Sequence, residues 1–429
     1  MSASGSGGVS AVIAASTSNQ GKITTVAGVP VTNPYGLRRW RACLADAENN
    51  LASIVCVGDS HVFGQNANGS DTSNPGDSAA DGQMGWVGQL RNLFAITYGN
   101  PGEGFIMPDP AADSRMVASG GSTFSGYNQA VGPMRHNYRL TSGATLTFTP
   151  PAGTTQLGVI QTNHSGDAQL TWTMNGVGQT APTAPTGTGV PSLVWVPFTG
   201  GQTAVFTGPS ANNTVYGWVY STGQVSANTA LKNGVSVDRI GSGGQTQGIM
   251  LGGDYNGALG TYDGVGSFTT PQQQAYVQGH YIWRGSRGLL IMYFGTNEQS
   301  LQLGSAGLNN GITPAIFQAG LQLAVAQAVS DGWCVLLVGP CPSASENQTM
   351  GAALLTAYWA IMQGIAATTD HCAFVSIGDL WGGDTSAAKL ATSNAGLRNA
   401  GDSHPTRAGY GDIARNLYNV LSDLVPVGN

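Results

Sequence analysis

Short apolar runs and helix-periodic stretches alternate near both ends of the chain, whereas its middle alternates apolar and polar positions one by one. The run "SIVCV" (53–57) is continuously apolar and stops at Gly58, the pattern of a strand buried on both faces. "GWVGQLRNLFAI" (85–96) then reads as a helix. The alternation returns with "VSVDRI" (235–240), "GLLIMYF" (288–294), "WCVLLVG" (333–339) and "CAFVSIG" (372–378), with helices predicted at about 313–331 and 350–368. A last helix, about 407–424, carries Ile413, Leu417, Val420, Leu421 and Leu424 along one stripe. Buried strands separated by helices make a parallel sheet covered on both faces, so the fold class is α/β.

Between about 125 and 232 the grammar changes. Segments such as "ATLTFTPP", "TQLGVIQT", "AQLTWTMNG", "SLVWVPF" and "VYGWVYSTG" are separated by Gly, Pro, Asn and Ser, as in an antiparallel β-sandwich. With α/β pattern on either side, the sandwich is expected as an insertion. The expected division is an N-terminal arm or attachment segment (1–36), a first part of the α/β domain (37–124), the inserted sandwich (125–232) and a second part of the α/β domain (233–429). Leu37, Trp40, Leu44 and Ala47 predict a short helix after the arm.

Composition narrows the function classes. Charged residues make up only 9% of the chain and the net charge is −6, with no basic cluster beyond "LRRWR" (37–41), so neither nucleic acid nor an anionic membrane is an expected partner. No signal peptide or membrane-spanning run is legible. The five cysteines lack metal-ligand spacing and fall mostly in or beside buried strands, so they read as core thiols, with no cofactor or metal expected.

The letters Gly-Asp-Ser-His occur twice, in "VGDSHVFG" (57–64) and in "AGDSHPTRAGY" (400–410). In the first copy a buried strand runs straight into Ser60, and the carboxyl ends of strands are where open α/β sheets place their ligands. The second lies on a loop before the last helix, so its His404 can reach over another strand's end. Ser60 and His404 are therefore candidates for nucleophile and general base, the pairing that acyl transfer needs because a free hydroxyl is a poor nucleophile at neutral pH.

Together "VGDSHVFG", "GTNE" (295–298) after an apolar strand and "DSHPTRAGY" (402–410) resemble the SGNH, or GDSL-type, esterase/lipase family. The resemblance implies a flavodoxin-like α/β/α three-layer fold and ester hydrolysis through a Ser-His-Asp triad. It implies Ser60 as nucleophile, His404 as base and the Asn297 side chain as an oxyanion-hole donor. The hole's glycine is expected to be Gly244 in "VDRIGSGGQT" (237–246), which follows the second α/β strand, with Gly102 in "YGNPGEGF" (98–105) as its rival. The family's acid stands three residues before the His, where this chain has Gly401. Asp402, two before, is the candidate; Asp379, Asp384 or a backbone carbonyl are the alternatives.

A sandwich between the first and second blocks is similar to carbohydrate-directed members of the family, including those in tail proteins of phages infecting actinobacteria. The Gly/Ser-rich arm and "YGLRRWRACLADAENN" (35–50) suit that comparison. The resemblance implies an acylated, foremost O-acetylated, cell-envelope glycan or glycolipid as substrate and a virion or otherwise extracellular site of action. It leaves room for a homo-oligomer or attachment to a larger assembly through the arm. Two other readings stay open, a virion adhesion or structural protein with a degenerate hydrolase fold and a carbohydrate-binding protein. Trp172, Trp195, Trp218 and Tyr216 are expected either in the sandwich core or stacked on sugar rings, and His61 is expected to line the site.

Overall fold

The computed structural model describes residues 22–67, 83–110, 113–125, 136–161, 171–179, 191–198, 201–208, 213–221, 234–241, 243, 245–251, 255–256, 261–262, 270–285, 287–302, 312–342, 349–398 and 402–423. A seven-stranded sheet organises the chain. Its members are β1 (Ile23–Val26), β2 (Val29–Thr32), β3 (Leu51–Gly58), β4 (Gly234–Gly241), β5 (Leu289–Tyr293), β6 (Cys334–Gly339) and β7 (Cys372–Ser376), in the order β1-β2-β7-β6-β5-β3-β4. The five strands β3 to β7 are mutually parallel. Numbered among themselves they lie 2-1-3-4-5, so the winding reverses between β3 and β5, and the carboxyl ends at such a point are where sheets of this kind place their ligands.

Both faces of the sheet are dry. Ile54, Cys56, Ile291, Leu336 and Val338 point to one side, where they meet Trp40, Trp86, Leu90, Phe94, Tyr410, Ile413, Leu417 and Leu421. These come from helices α1 (Arg38–Ala45), α2 (Trp86–Tyr98) and α3 (Arg407–Ser422). Val55, Val57, Leu290, Met292, Val335 and Leu337 point to the other, against Phe317, Leu321, Val325, Tyr358 and Met362 of the helices Pro314–Ser330 and Thr349–Thr368. Strand runs without alternation are what double-sided burial demands, and the layering is α/β/α.

Between α2 and β4 the described residues form antiparallel sheets, one of five strands and two of three. Leu146, Phe148, Trp172 and Phe206 of the five-stranded sheet share a core with Leu157, Val159 and Trp218 of a three-stranded one. The Trp218 and Phe148 rings stack with centroids 4.6 Å apart. The five-stranded sheet already includes Met116–Ser119, paired with Thr145–Phe148. Trp172, Trp218 and Tyr216 are 3%, 0% and 1% exposed, so of the two readings open for these rings the core one holds. Trp195 is half-buried and, like Tyr216, packs against the core of the seven-stranded sheet.

The stretch expected as an arm ends differently. Residues 1–21 lie outside the described residues, but β1 and β2 form a hairpin, and Thr32 of β2 pairs antiparallel with Phe374 of β7. Its turn residues, Ala27 and Gly28, both adopt positive φ (46° and 88°). Two-residue turns of this kind usually announce themselves as Asn-Gly or Asp-Gly, and an Ala in the first place conceals the signal. Asn33, also left-handed at φ 53°, closes the element by donating from Nδ2 to the carbonyls of Ala366 (3.1 Å), Thr369 (3.3 Å) and Cys372 (2.9 Å). Asn33→Ala leaves those carbonyls without their donor and should cost about 2–3 kcal/mol of stability in urea unfolding.

Candidate active site

The site is built where β3 ends. Gly58 lies opposite Gly241 of β4 and Tyr293 of β5, so three parallel strands stop level with one another. A Cβ on Gly58 would sit 2.4 Å from the Tyr293 carbonyl oxygen and 2.4 Å from Val62 Cγ2, and one on Gly241 would sit 2.4 Å from the Phe63 backbone nitrogen. Both positions must be bare for the next turn to seat on the sheet. That turn is a single helical one, Ser60–Phe63, capped by Asp59, whose carboxylate accepts the His61 backbone N–H at 2.9 Å. Ser60 thus occupies the first helical position, where a backbone N–H has no intrahelical partner.

His404 arrives from the other end of the chain. Its Nε2 lies 2.8 Å from Ser60 Oγ, and its Nδ1 lies 2.9 Å from Asp402 Oδ1. The short spacing between acid and imidazole works because one carboxylate oxygen serves twice. Asp402 Oδ1 also accepts the backbone N–H of His404 at 2.9 Å, a turn in which a side chain bonds the backbone two residues on. Asn66 Nδ2 donates to the other oxygen, Oδ2, and Arg398 Nη1 donates to the Asp402 carbonyl at 3.3 Å. Burial acts to raise the Asp402 pKa, but the hydrogen bonds from the His404 ring and backbone and from Asn66 outweigh it and hold the carboxyl below its usual range. Of the alternatives, Asp384 is paired with Lys389 Nζ at 3.1 Å and Asp379 is exposed.

Asn297 lies in the helix Thr296–Gln302 that follows β5, and its Nδ2 donates to the Gln245 carbonyl at 2.7 Å. This brings the "GTNE" and "GSGGQT" segments together beside the end of β3. Gly244 itself lies outside the described residues, between Gly243 and Gln245. Gly102 is elsewhere: it packs against the Tyr220 carbonyl, and nearby Gly99 meets Gly234 at the amino end of β4, the edge opposite Ser60.

Two residues of the site carried no signal strong enough to single out from sequence. Asn66 sits at φ 66° just past the nucleophile turn, and nothing in "GQNAN" announces a partner at 402. Glu298 is fully buried, and its two oxygens accept the backbone N–H of Gln247 (2.6 Å) and of Gly295 (2.8 Å), tying both loops to one carboxylate. Burial pushes its pKa up to about 8, against the pull of those two donors. His61 does not line an open site; it is fully buried beneath it. Among the described residues no three His, Cys, Asp or Glu side chains converge to hold a metal ion. A hydroxyl, an imidazole and a carboxylate in series, beside a helix start and an amide, can move a proton off an oxygen while stabilising a new negative charge nearby.

No protein-family model matches the chain, and no curated protein sequence matches it. A carbohydrate esterase family 2 enzyme with a carbohydrate-binding domain, from Corynascus thermopiles (Myceliophthora fergusii), is 14% identical, with 67% of this chain and 95% of that one covered and a TM-score of 0.32. Protein YXIM of Bacillus subtilis is 18% identical, with 76% and 92% covered and a TM-score of 0.33. A solved peptidoglycan O-acetylesterase is 17% identical, and the match covers 90% of this chain and 96% of that one at a TM-score of 0.61. The chain shares the overall fold of that structure.

Proposed function

We propose that the protein is an SGNH-type serine esterase that removes acyl groups, O-acetyl foremost, from a cell-envelope polysaccharide or glycolipid. The observation that carries the reading is the unbroken series Ser60 Oγ, His404, Asp402, with links of 2.8 and 2.9 Å at the carboxyl edge of a parallel sheet. The shared fold with a peptidoglycan O-acetylesterase favours an O-acetylated glycan over a free lipid. A place in a phage tail rests on the sequence resemblance and the N-terminal segment alone. The division into a hydrolase domain and an inserted unit that holds glycan belongs to the same reading.

In this reading Ser60 Oγ attacks the ester carbonyl carbon as His404 Nε2 takes its proton. The oxyanion is met by the backbone N–H groups of Ser60 and Gly244 and by the second hydrogen of the Asn297 amide. Collapse breaks the acyl C–O bond, and His404 returns the proton to the departing sugar hydroxyl. Water, deprotonated by the same imidazole, then adds to the acyl-Ser60 carbonyl; the bond from the acyl carbon to Ser60 Oγ breaks as His404 returns that proton to Oγ, and the acid leaves. Asp402 holds Nδ1 and stabilises the transient imidazolium.

Ser60→Ala should lower kcat on a short-chain p-nitrophenyl ester and on O-acetylated glycan by at least about 10⁴-fold; retained turnover refutes the mechanism. Asn297→Ala should cost about 10²- to 10³-fold in kcat with a small change in KM.

Asp402→Asn should leave the fold intact and cost about 10²- to 10⁴-fold in kcat. Because the folded-state pKa of Asp402 lies below its unfolded value of about 3.9, its pairing stabilises the fold above that value and is lost as pH falls through the folded one. The melting temperature of Asp402→Asn should therefore depend less steeply on pH than that of the wild type between about pH 5 and pH 2.

A further inference from the structure

His61 is fully buried and stands between the nucleophile turn and the loop that carries the candidate base. Its Nε2 lies 2.8 Å from the carbonyl oxygen of Ser403, which can only accept, so that nitrogen carries a hydrogen. Its Nδ1 lies 3.2 Å from Asp59 Oδ1. That oxygen already accepts the His61 backbone N–H, and Asp59 Oδ2 has no hydrogen-bond partner among the described residues. A carboxylate only accepts, so beside it Nδ1 carries a hydrogen as well as Nε2.

We propose that His61 is a positioning residue: a buried imidazolium, held by the Asp59 carboxylate, that fixes the Asp402–Ser403–His404 loop over Ser60 by donating Nε2–H to the Ser403 carbonyl. The inference rests on the esterase reading above for its consequence in catalysis, but not for its chemistry. The ring is enclosed on every side. Asp59 faces it from its own turn, Tyr293 (ring centroids 5.4 Å apart) and Thr296 (Oγ1 3.5 Å from Nδ1) from β5 and the residues after it, and Cys341 (Sγ 4.0 Å from Nε2) from beyond β6. From the loop come the Ser403 carbonyl and the His404 ring, 5.3 Å away and itself paired with Asp402. Burial works against the charge, and Asp59, with a smaller contribution from Cys341, overcomes it and holds the imidazolium well above its ordinary range.

One anchor thus joins residues far apart in the chain. Asp59 and His61 flank Ser60, and the bond to Ser403 flanks His404, so nucleophile and base are referred to the same buried pair. Small displacements of a reacting group are costly, on the order of 10²-fold for about 1 Å.

The test has two arms. In wild-type protein labelled with ¹⁵N at histidine, the His61 ring should remain protonated on both nitrogens at about pH 8, where an ordinary imidazole with pKa near 6.5 is neutral. This measurement needs no substrate, so its failure is distinct from a failure of ester hydrolysis. In the second arm, His61→Leu should lower kcat about 10- to 100-fold with KM within about threefold. His61→Gln, whose amide can still donate to Ser403, should recover part of the loss. A singly protonated ring at that pH overturns the proposal, as does a folded His61→Leu with wild-type kcat or a defect confined to KM. If His61→Leu does not fold, the ring-nitrogen measurement and His61→Gln decide alone.

Discussion

The level ending of three parallel strands is the constraint on which the site depends. Hydrogen bonding puts Gly58, Gly241 and Tyr293 in one row, and the turns beyond them therefore start from a common edge. Parallel strands keep that register only when both faces are covered, because each apolar side chain must leave water on whichever side it points. The helices on the two faces are thus part of the site's construction. They hold the strand ends level, and the strand ends hold Ser60.

Polar groups near that edge are wholly or partly buried, at a cost, and then put to use. Asp59 faces His61 across 3.2 Å, Glu298 receives two backbone N–H groups, and Asp402 receives His404 twice and Asn66 once. Two of these carboxylates tie together segments distant in sequence: Glu298 joins Gln247 to Gly295, and Asp402 joins Asn66 to the loop 402–404. A carboxylate in the interior is expensive unless its oxygens are occupied. That expense makes wrong arrangements of these loops worse than the right one, and rigid loops are what a reaction dependent on sub-ångström placement requires.

The unit of antiparallel sheets between α2 and β4 follows another logic. Its large aromatic residues, Phe148, Trp172, Phe206 and Trp218, are spent on joining its sheets, while Tyr216 and Trp195 turn toward the seven-stranded core. It is fastened to the core of the seven-stranded sheet by apolar packing. Binding of glycan by this unit would have to use other side chains than Trp172, Trp218 and Tyr216.

The sequence by itself determined the α/β layering, because uninterrupted apolar runs such as "SIVCV" and "CVLLVG" alternate with helix-length stretches, the pattern of a parallel sheet covered on both faces. It also placed Ser60 at a strand's end and His404 ahead of the final helix, since strand ends and helix starts leave local marks. Other features had no local mark. The Ala27-Gly28 turn hides a hairpin that a commoner pair would have declared, and the link from Asn66 to Asp402 spans more than three hundred residues. Which acid faces His404 could not be read from spacing, because a single carboxylate oxygen accepting both the ring and the backbone N–H makes a two-residue interval suffice. Only the tertiary structure decided these points, for a hydrogen bond depends on distance and direction in space, whereas the hydrophobic pattern is written residue by residue along the chain.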